Sequence, residues 1–147
     1  MQVNSYICTM EKELFRSRCP ISMILDLIGD KWTMLVIRDI ALFQKHTFNE
    51  FLKSDERIAS NILSDRIGKL EQLGIIIKKQ HPDSKAKIYY GLTMKGIELI
   101  PIIFEMAIWS EKHLNIHQDA IPLVQEIKKD KMSVLREIIV KHQHDLV

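Results

Sequence analysis

Residues 60–92 read SNILSDRIGKLEQLGIIIKKQHPDSKAKIYYGL, and two periodicities follow one another in them. At about 100° per residue, Ile62, Leu63, Ile67, Leu70 and Leu73 fall on one side of a helical wheel. Asn61, Ser64, Asp65, Gly68 and Gln72 fall on the other. The pattern predicts an amphipathic helix over 60–73, ended by Gly74 as a C-terminal glycine. Ile75-Ile76-Ile77-Lys78-Lys79-Gln80 is then β-branched and strand-like. His81-Pro82-Asp83-Ser84 reads as a turn, and residues 85–92 alternate polar and apolar as a returning strand. The stretch is a helix running into a β-hairpin over 75–92, with lysines on both arms.

Upstream, Pro20 suits the first position of a helix whose apolar residues are Ile21, Ile24, Leu25 and Ile28, with Gly29-Asp30 closing it. Residues 31–42 give a second helix through Trp32, Leu35, Val36, Ile40 and Ala41. Thr47 precedes a short third helix, Phe48-Asn49-Glu50-Phe51-Leu52, and can form a capping box with Glu50. Downstream, residues 93–114 predict a long helix that is apolar on nearly every face between Ile97 and Trp109. Such a helix must be buried all round. One small domain covers one side, and a second copy is the simplest cover for the other. Pro101 should kink this helix or mark its true start. After a break over 117–122, Leu123, Ile127, Val134, Leu135, Ile138 and Ile139 form the stripe of a last helix.

The order of elements is that of a winged helix-turn-helix: mainly α, with a small hairpin wing. The third and fourth helices are the helix-turn-helix, and the fourth would lie in the major groove with its polar face to the base edges. That face carries Asn61, Ser64, Asp65 and Gln72. Asn and Gln suit adenine, Ser is a flexible partner, and Asp65 would either accept from cytosine or hold a neighbouring basic residue. Ser60, at the start of this helix, Thr47 and Asn49, at the start of the third, and Lys31 join the candidate DNA contacts. Lys69, at the edge of the reading face, can reach phosphate. Lys78, Lys85 and Lys87 suit backbone or minor-groove contact from the wing. Between Arg57 and Lys87 seven basic residues stand against three acidic ones, a local excess of four on a chain whose net charge is +2. That suits a polyanion, although charge alone also fits a solvated surface.

With 147 residues the chain is expected to form one domain with extra terminal helices. Apolar residues make up 46% of it, enough for a core, and charged residues 27%. No apolar run is long enough for a bilayer, residues 1–19 lack a secretory apolar stretch, and Cys8 and Cys19 cannot make a disulfide framework. A reducing cytoplasm is the expected setting. No phosphate-cradling glycine loop, zinc motif or nucleophile elbow is present, so the sequence argues against an enzyme. His113 and His117 are spaced i, i+4, and His142 and His144 lie near the end, but no cysteine or carboxylate cluster supports either pair as a metal site. Neither metal nor cofactor is expected.

In order, Cys19-Pro20, Gly29-Asp30-Lys31-Trp32, Phe48-Asn49-Glu50-Phe51, the run from Lys69 to Ile76, Tyr90-Gly91-Leu92-Thr93-Met94-Lys95-Gly96, Pro101 and Trp109 resemble the HxlR family of bacterial winged-helix regulators. The matches span about residues 19 to 112. The resemblance implies homodimeric repressors or activators on pseudo-palindromic duplex DNA. It implies a dimer interface between first and last family helices, placing Ile7, Leu14 and Phe15 near Phe104, Ile108 and Trp109 of the partner subunit. It makes Trp32 a core anchor. The expected division is 1–18 as a dimerisation segment, 19–114 as the DNA-binding domain, and 115–147 as a helical extension on the dimer. The sequence departs from the family at Asn61 and Gly68, where a basic residue is frequent, so no operator can be carried over.

Cys19 would cap a helix N-terminus with Arg16 and Arg18 nearby, and both features lower a thiol pKa. Some family members sense oxidants or electrophiles at such a cysteine; a buried, inert thiol is the alternative, and Cys8 is a weaker disulfide partner. The resemblance leaves room for a small-molecule or oxidant inducer. Phe104, Met106 and Trp109 fit either core packing or the wall of a ligand pocket at the interface. A protein-binding adaptor is the rival to DNA binding, since winged helices serve both roles.

Overall fold

The computed structural model describes residues 14–146, so the dimer contact expected of Ile7 and the pairing expected of Cys8 lie outside it. The helices are α1 (Pro20–Ile28), α2 (Thr33–Phe43), α3 (Phe48–Leu52) and α4 (Ser60–Gln72), followed by strands β1 (Ile76–His81) and β2 (Ser84–Leu92). Then come α5 (Met94–Ile97), α6 (Ile100–His113), α7 (Ile121–Lys129) and α8 (Lys131–Lys141). Short 3-10 turns at Gln118–Ala120 and Gln143–Asp145 precede α7 and follow α8. The mainly helical fold with a hairpin wing is the expected one.

The local signals work as their chemistry dictates. Pro20 stands in the first turn of α1. The Thr47 side chain accepts from the Glu50 N–H while the Glu50 carboxylate accepts from the Thr47 N–H, which completes the capping box of α3. Gly74, at φ 68°, turns the chain out of α4 in the left-handed region. Asp30 accepts from the N–H groups of Trp32 at 2.8 Å and Thr33 at 2.9 Å, meeting two donors that α2 cannot satisfy internally.

The core joins Ile37 and Ile40 of α2, Phe51 of α3, Leu63 and Leu70 of α4, Ile76 and Leu92 of the hairpin, and Ile97, Ile100 and Phe104 beyond it. Trp32 is half-buried at its rim, so it is less deeply anchored than expected. The apolar reading of α2 overlooked a buried ionic knot. Asp39, 3% exposed, accepts from Arg38 Nη2 at 2.6 Å and from the Ser54 hydroxyl, with Lys45 Nζ at 3.5 Å. Arg38 also donates to Glu56 at 2.6 Å, and this guanidinium holds the Glu56 carboxyl down to about 2. The knot ties α2 to the α3–α4 loop, whose Arg57 adopts a left-handed φ of 55°.

The helix boundaries beyond the hairpin follow one expectation and break another. Residues 93–114 form two helices, and Pro101 marks the true start of α6, the second of its two expected roles. The last helix also divides, because Asp130 leaves helical geometry and its carboxylate caps α8 through the Ser133 N–H at 3.0 Å. The resulting α7–α8 pair packs on α6 within the same chain. Ile127, Val134 and Ile138 are buried, and Gln125 and Lys128 both donate to Glu111 of α6, at 3.1 and 3.0 Å. Part of the face of α6 expected to need a second copy is therefore covered by the chain's own C-terminal extension. A stripe at i, i+4 and i+7 stays open: Ile102, Met106 and Trp109, respectively 40%, 53% and 58% exposed.

Candidate nucleic-acid interface

Helix α4 buries Leu63, Ile67 and Leu70 and turns Ser60, Asn61, Ser64, Asp65 and Gln72 to solvent. No side chain caps its N-terminus: the cap residue is Ala59, in extended conformation. A helix of 13 residues thus begins with main-chain donors that its cap residue does not meet, at the positive end of its dipole. This suits a phosphate oxygen. Lys53, exposed just before this terminus, was missed by sequence reasoning, and Arg57, exposed in the same loop, was counted only as part of the basic stretch. Neither sits on a predicted amphipathic face, and only the loop path through Ser54 brings them there.

Several expected contacts have partners within the protomer. The Thr47 hydroxyl donates to Glu50 at 2.9 Å as part of the capping box. Asp65 accepts from Arg66 Nη1 at 3.1 Å, so of its two expected roles the structure shows the holding of a neighbouring basic side chain. Lys69 is partly buried and donates to the Asp26 carbonyl at 3.4 Å. Lys31 is exposed, with Nζ 4.9 Å from the centroid of Trp32. Asn49 is exposed on α3 and borders a groove of about 630 Å³ between that helix and the wing.

In the wing, β1 and β2 pair antiparallel from Ile76↔Leu92 to Gln80↔Ile88, and the register then slips to His81↔Ser84. Lys85, Ala86 and Lys87 are left without opposite residues on β1. Such a bulge re-aims side chains out of the pleat. Lys78, Lys85 and Lys87 are all exposed, and the latter two are carried on the bulge at the tip. Lys79 belongs elsewhere: its ammonium donates to the C-terminal turn.

Gly68 lies mid-helix on the same side as the polar residues, and a Cβ built on it meets nothing within 4 Å. Packing within the protomer therefore does not require glycine there. Gly68→Ala is expected to stabilise the protein by about 1 kcal/mol through helix propensity. A thermal melt should show a rise of about 4 °C; an unchanged or lower Tm would mean that the position is strained in a way its open surroundings do not reveal.

Of the residues expected at a dimer interface, Leu14 is exposed, Phe15 half-buried, Ile108 half-buried and Trp109 exposed, its ring 4.8 Å from His113. Phe104 is a correction. At 1% exposed it belongs to the protomer's own core, because α7–α8 and the main core enclose that side of α6, and it offers no surface to a partner or a ligand.

Cys19 caps α1 from an extended conformation and is exposed. Its thiol is held below the usual value by the N–H groups of Ser22 and Ile21 at the helix start. Of the two arginines expected near it, Arg16 donates to Asp26 at 2.5 Å. Among the described residues no helix is long and apolar enough to cross a membrane.

The HxlR-like helix-turn-helix family model matches residues 27–118. The HTH-type transcriptional regulator BH0655 of Halalkalibacterium halodurans is 34% identical over 96 residues, 65% of this chain and 85% of that one. YdeP of Bacillus subtilis, described in the same terms, is 34% identical over 95 residues, 65% of this chain and 73% of its own. Among solved structures, the redox regulator HypR in its oxidised form superposes with a TM-score of 0.59 at 30% identity, covering 67% of this chain and 100% of HypR. The reduced transcriptional regulator YodB of Bacillus subtilis gives 0.52 at 29% identity, over 66% of this chain and 95% of YodB. With the match running from the end of α1 to the 3-10 turn before α7, the chain belongs to the HxlR-like helix-turn-helix family and is a transcriptional regulator of the winged-helix type.

Proposed function

We propose that the protein is a cytoplasmic regulator that binds a pseudo-palindromic operator as a homodimer, with α4 in the major groove and the wing along the flanking backbone. The observation that carries this reading is the uncapped start of α4 beside exposed Lys53 and Arg57, on the same molecule as the lysine-bearing bulge of the wing. Asn61, Ser64 and Gln72 are the residues assigned to base edges. Ser60, Asn49, Lys31, Lys78, Lys85 and Lys87 are assigned to the backbone. The second copy covers the open stripe of α6 together with Leu14 and Phe15, and residues 115–147 support that stripe from behind. Selection from random duplex DNA should enrich a pseudo-palindrome with half-sites about one helical turn apart. Affinity for the winning site should fall steeply with salt. A pool left unenriched under both reducing and oxidising conditions would turn the reading toward a protein-binding adaptor.

The same regulator is proposed to respond to thiol oxidants through Cys19. Its exposure and its place on the first N–H groups of α1 favour the reactive thiolate, and the similar HypR is a redox regulator. Diamide takes two electrons from a pair of thiols to leave a disulfide, here between Cys19 and Cys8 or a small thiol. Cys19→Ser should keep wild-type affinity for the operator and lose diamide-induced release, read by a fluorescence-polarisation titration. Equal release from both proteins would rule Cys19 out as the sensor.

A further inference from the structure

After α8, residues 142–145 fold back on the hairpin. His142 and Asp145 are both 0% exposed, the most deeply buried titratable residues described. The Asp145 carboxylate accepts from the Tyr89 hydroxyl at 3.1 Å and from Lys79 Nζ at 3.2 Å, and Lys79 also donates to the His144 carbonyl at 2.8 Å. His144 Nε2 lies 3.0 Å from the same hydroxyl. Lys79 and Tyr89 are directly opposed across the hairpin, so one carboxylate holds both strands at the same level. Burial and the neighbouring Asp145 charge push the Tyr89 hydroxyl well above its usual range, which keeps it a proton donor.

The other face of this contact is the joint between α2 and α3. The Tyr89 ring stacks on His46 at 4.5 Å, and His46 Nδ1 lies 3.0 Å from the Tyr90 carbonyl. His142 packs 5.5 Å from His46, with Nε2 3.4 Å from the Gln44 amide, and burial together with His46 holds its imidazole below the usual value, in the neutral form. Gly91 completes the fit. A Cβ there would stand 2.4 Å from Asp145 Oδ2, so the carboxylate fills the space that any side chain would need. A buried carboxylate with one cation is weak evidence for stability, since desolvation offsets much of the attraction. What the contact does supply is geometry. It joins β1, β2 and the helix-turn-helix at a single point.

We propose that the C-terminal turn, residues 142–145, is a positioning element for the wing: Asp145 clamps Lys79 and Tyr89 against the His46 joint and so sets the angle between the hairpin and α4. The proposal rests on the reading that the wing contacts DNA. It engages Lys79 within the protomer, apart from Lys78, Lys85 and Lys87, and gives the C-terminal extension a role in operator affinity. No residue of the clamp touches the DNA itself.

The test uses three full-length variants: Asp145→Ala, Gly91→Ala and the two combined. Gly91→Ala alters no charge and evicts the carboxylate sterically. In the free protein, amide exchange should quicken over residues 76–92 in each variant, with α4 and α6 unchanged. On the selected operator each single variant should lose affinity about tenfold, as for a lost charged hydrogen bond. The loss should fall in the flanking contacts of a hydroxyl-radical footprint, and the α4 contacts should persist. The double variant should lose no more than either single one, because both break the same contact. Additive losses, or wing exchange that stays at the wild-type rate, would overturn the proposal. If wild type binds no duplex, the DNA reading fails, and the exchange rates alone decide whether the turn holds the wing. Should either variant fail to fold, Tyr89→Phe removes one hydroxyl, keeps the ring, and is read the same way.

Discussion

A protein carrying Met106→Glu and Trp109→Glu is expected to remain folded, to sediment as a monomer, and to lose more than about a hundredfold in operator affinity. Both side chains are more than half exposed on α6, so neither change opens a cavity in the protomer. In the proposed dimer they face their own symmetry mates, because a two-fold axis places the same patch on both subunits. Four carboxylates would then meet in a desolvated seam. The loss of affinity follows from linkage of the two half-sites. Two reading helices held in one particle bind as a unit, and avidity of this kind adds about 10² to 10⁴ over one helix alone. Sedimentation equilibrium and an operator titration on one preparation read both effects. A variant that stays dimeric would place the interface elsewhere, and a monomeric wild type would remove the dimer from the proposal.

Replacing Lys78, Lys85 and Lys87 together by alanine is expected to flatten the salt dependence of operator binding. Each lysine that neutralises a phosphate releases counterions, and the slope of log K against log salt should become shallower by about 1 per lysine lost. At physiological ionic strength the affinity should fall about a hundredfold, while the preferred operator sequence stays the same. All three residues are exposed, and two stand on the unpaired bulge at the tip, so the melting temperature should hardly move. A comparable loss of affinity with an unchanged slope would mean that the wing orders the fold and does not touch phosphate. Lys79→Ala is the informative contrast, because its ammonium is already spent on His144 and Asp145.

Much of this molecule was legible before any coordinates. Pro20, the Thr47–Glu50 box and Gly74 set their boundaries locally, because each acts on main-chain groups within a turn of itself. The solvent face of α4 followed from its period, since a helix that packs on one side must turn Asn61, Ser64 and Gln72 to the other. The break at Asp130 was hidden by the opposite effect. The apolar stripe continues in phase across it, and nothing in a stripe reports a residue that leaves helical geometry to cap the next helix. The ionic knot at Asp39 was equally hidden, because it closes through Ser54, 15 residues from Asp39, and Glu56, 18 residues from Arg38, both of which the loop folds back.

The sequence by itself therefore determined the order of elements, the polar face of the reading helix and the place of the wing, all of which depend on periodicity and on residues a few positions apart. Tertiary structure alone decided which lysines remain exposed, that Phe104 is core and not interface, and that the last turn closes on the wing. These depend on contacts such as Tyr89 to Asp145, separated by 56 positions in the chain. No local pattern encodes a pairing at that distance. The packing of α7 and α8 on α6 brings the Asp145 side-chain carboxylate to Gly91, whose missing side chain leaves room for it.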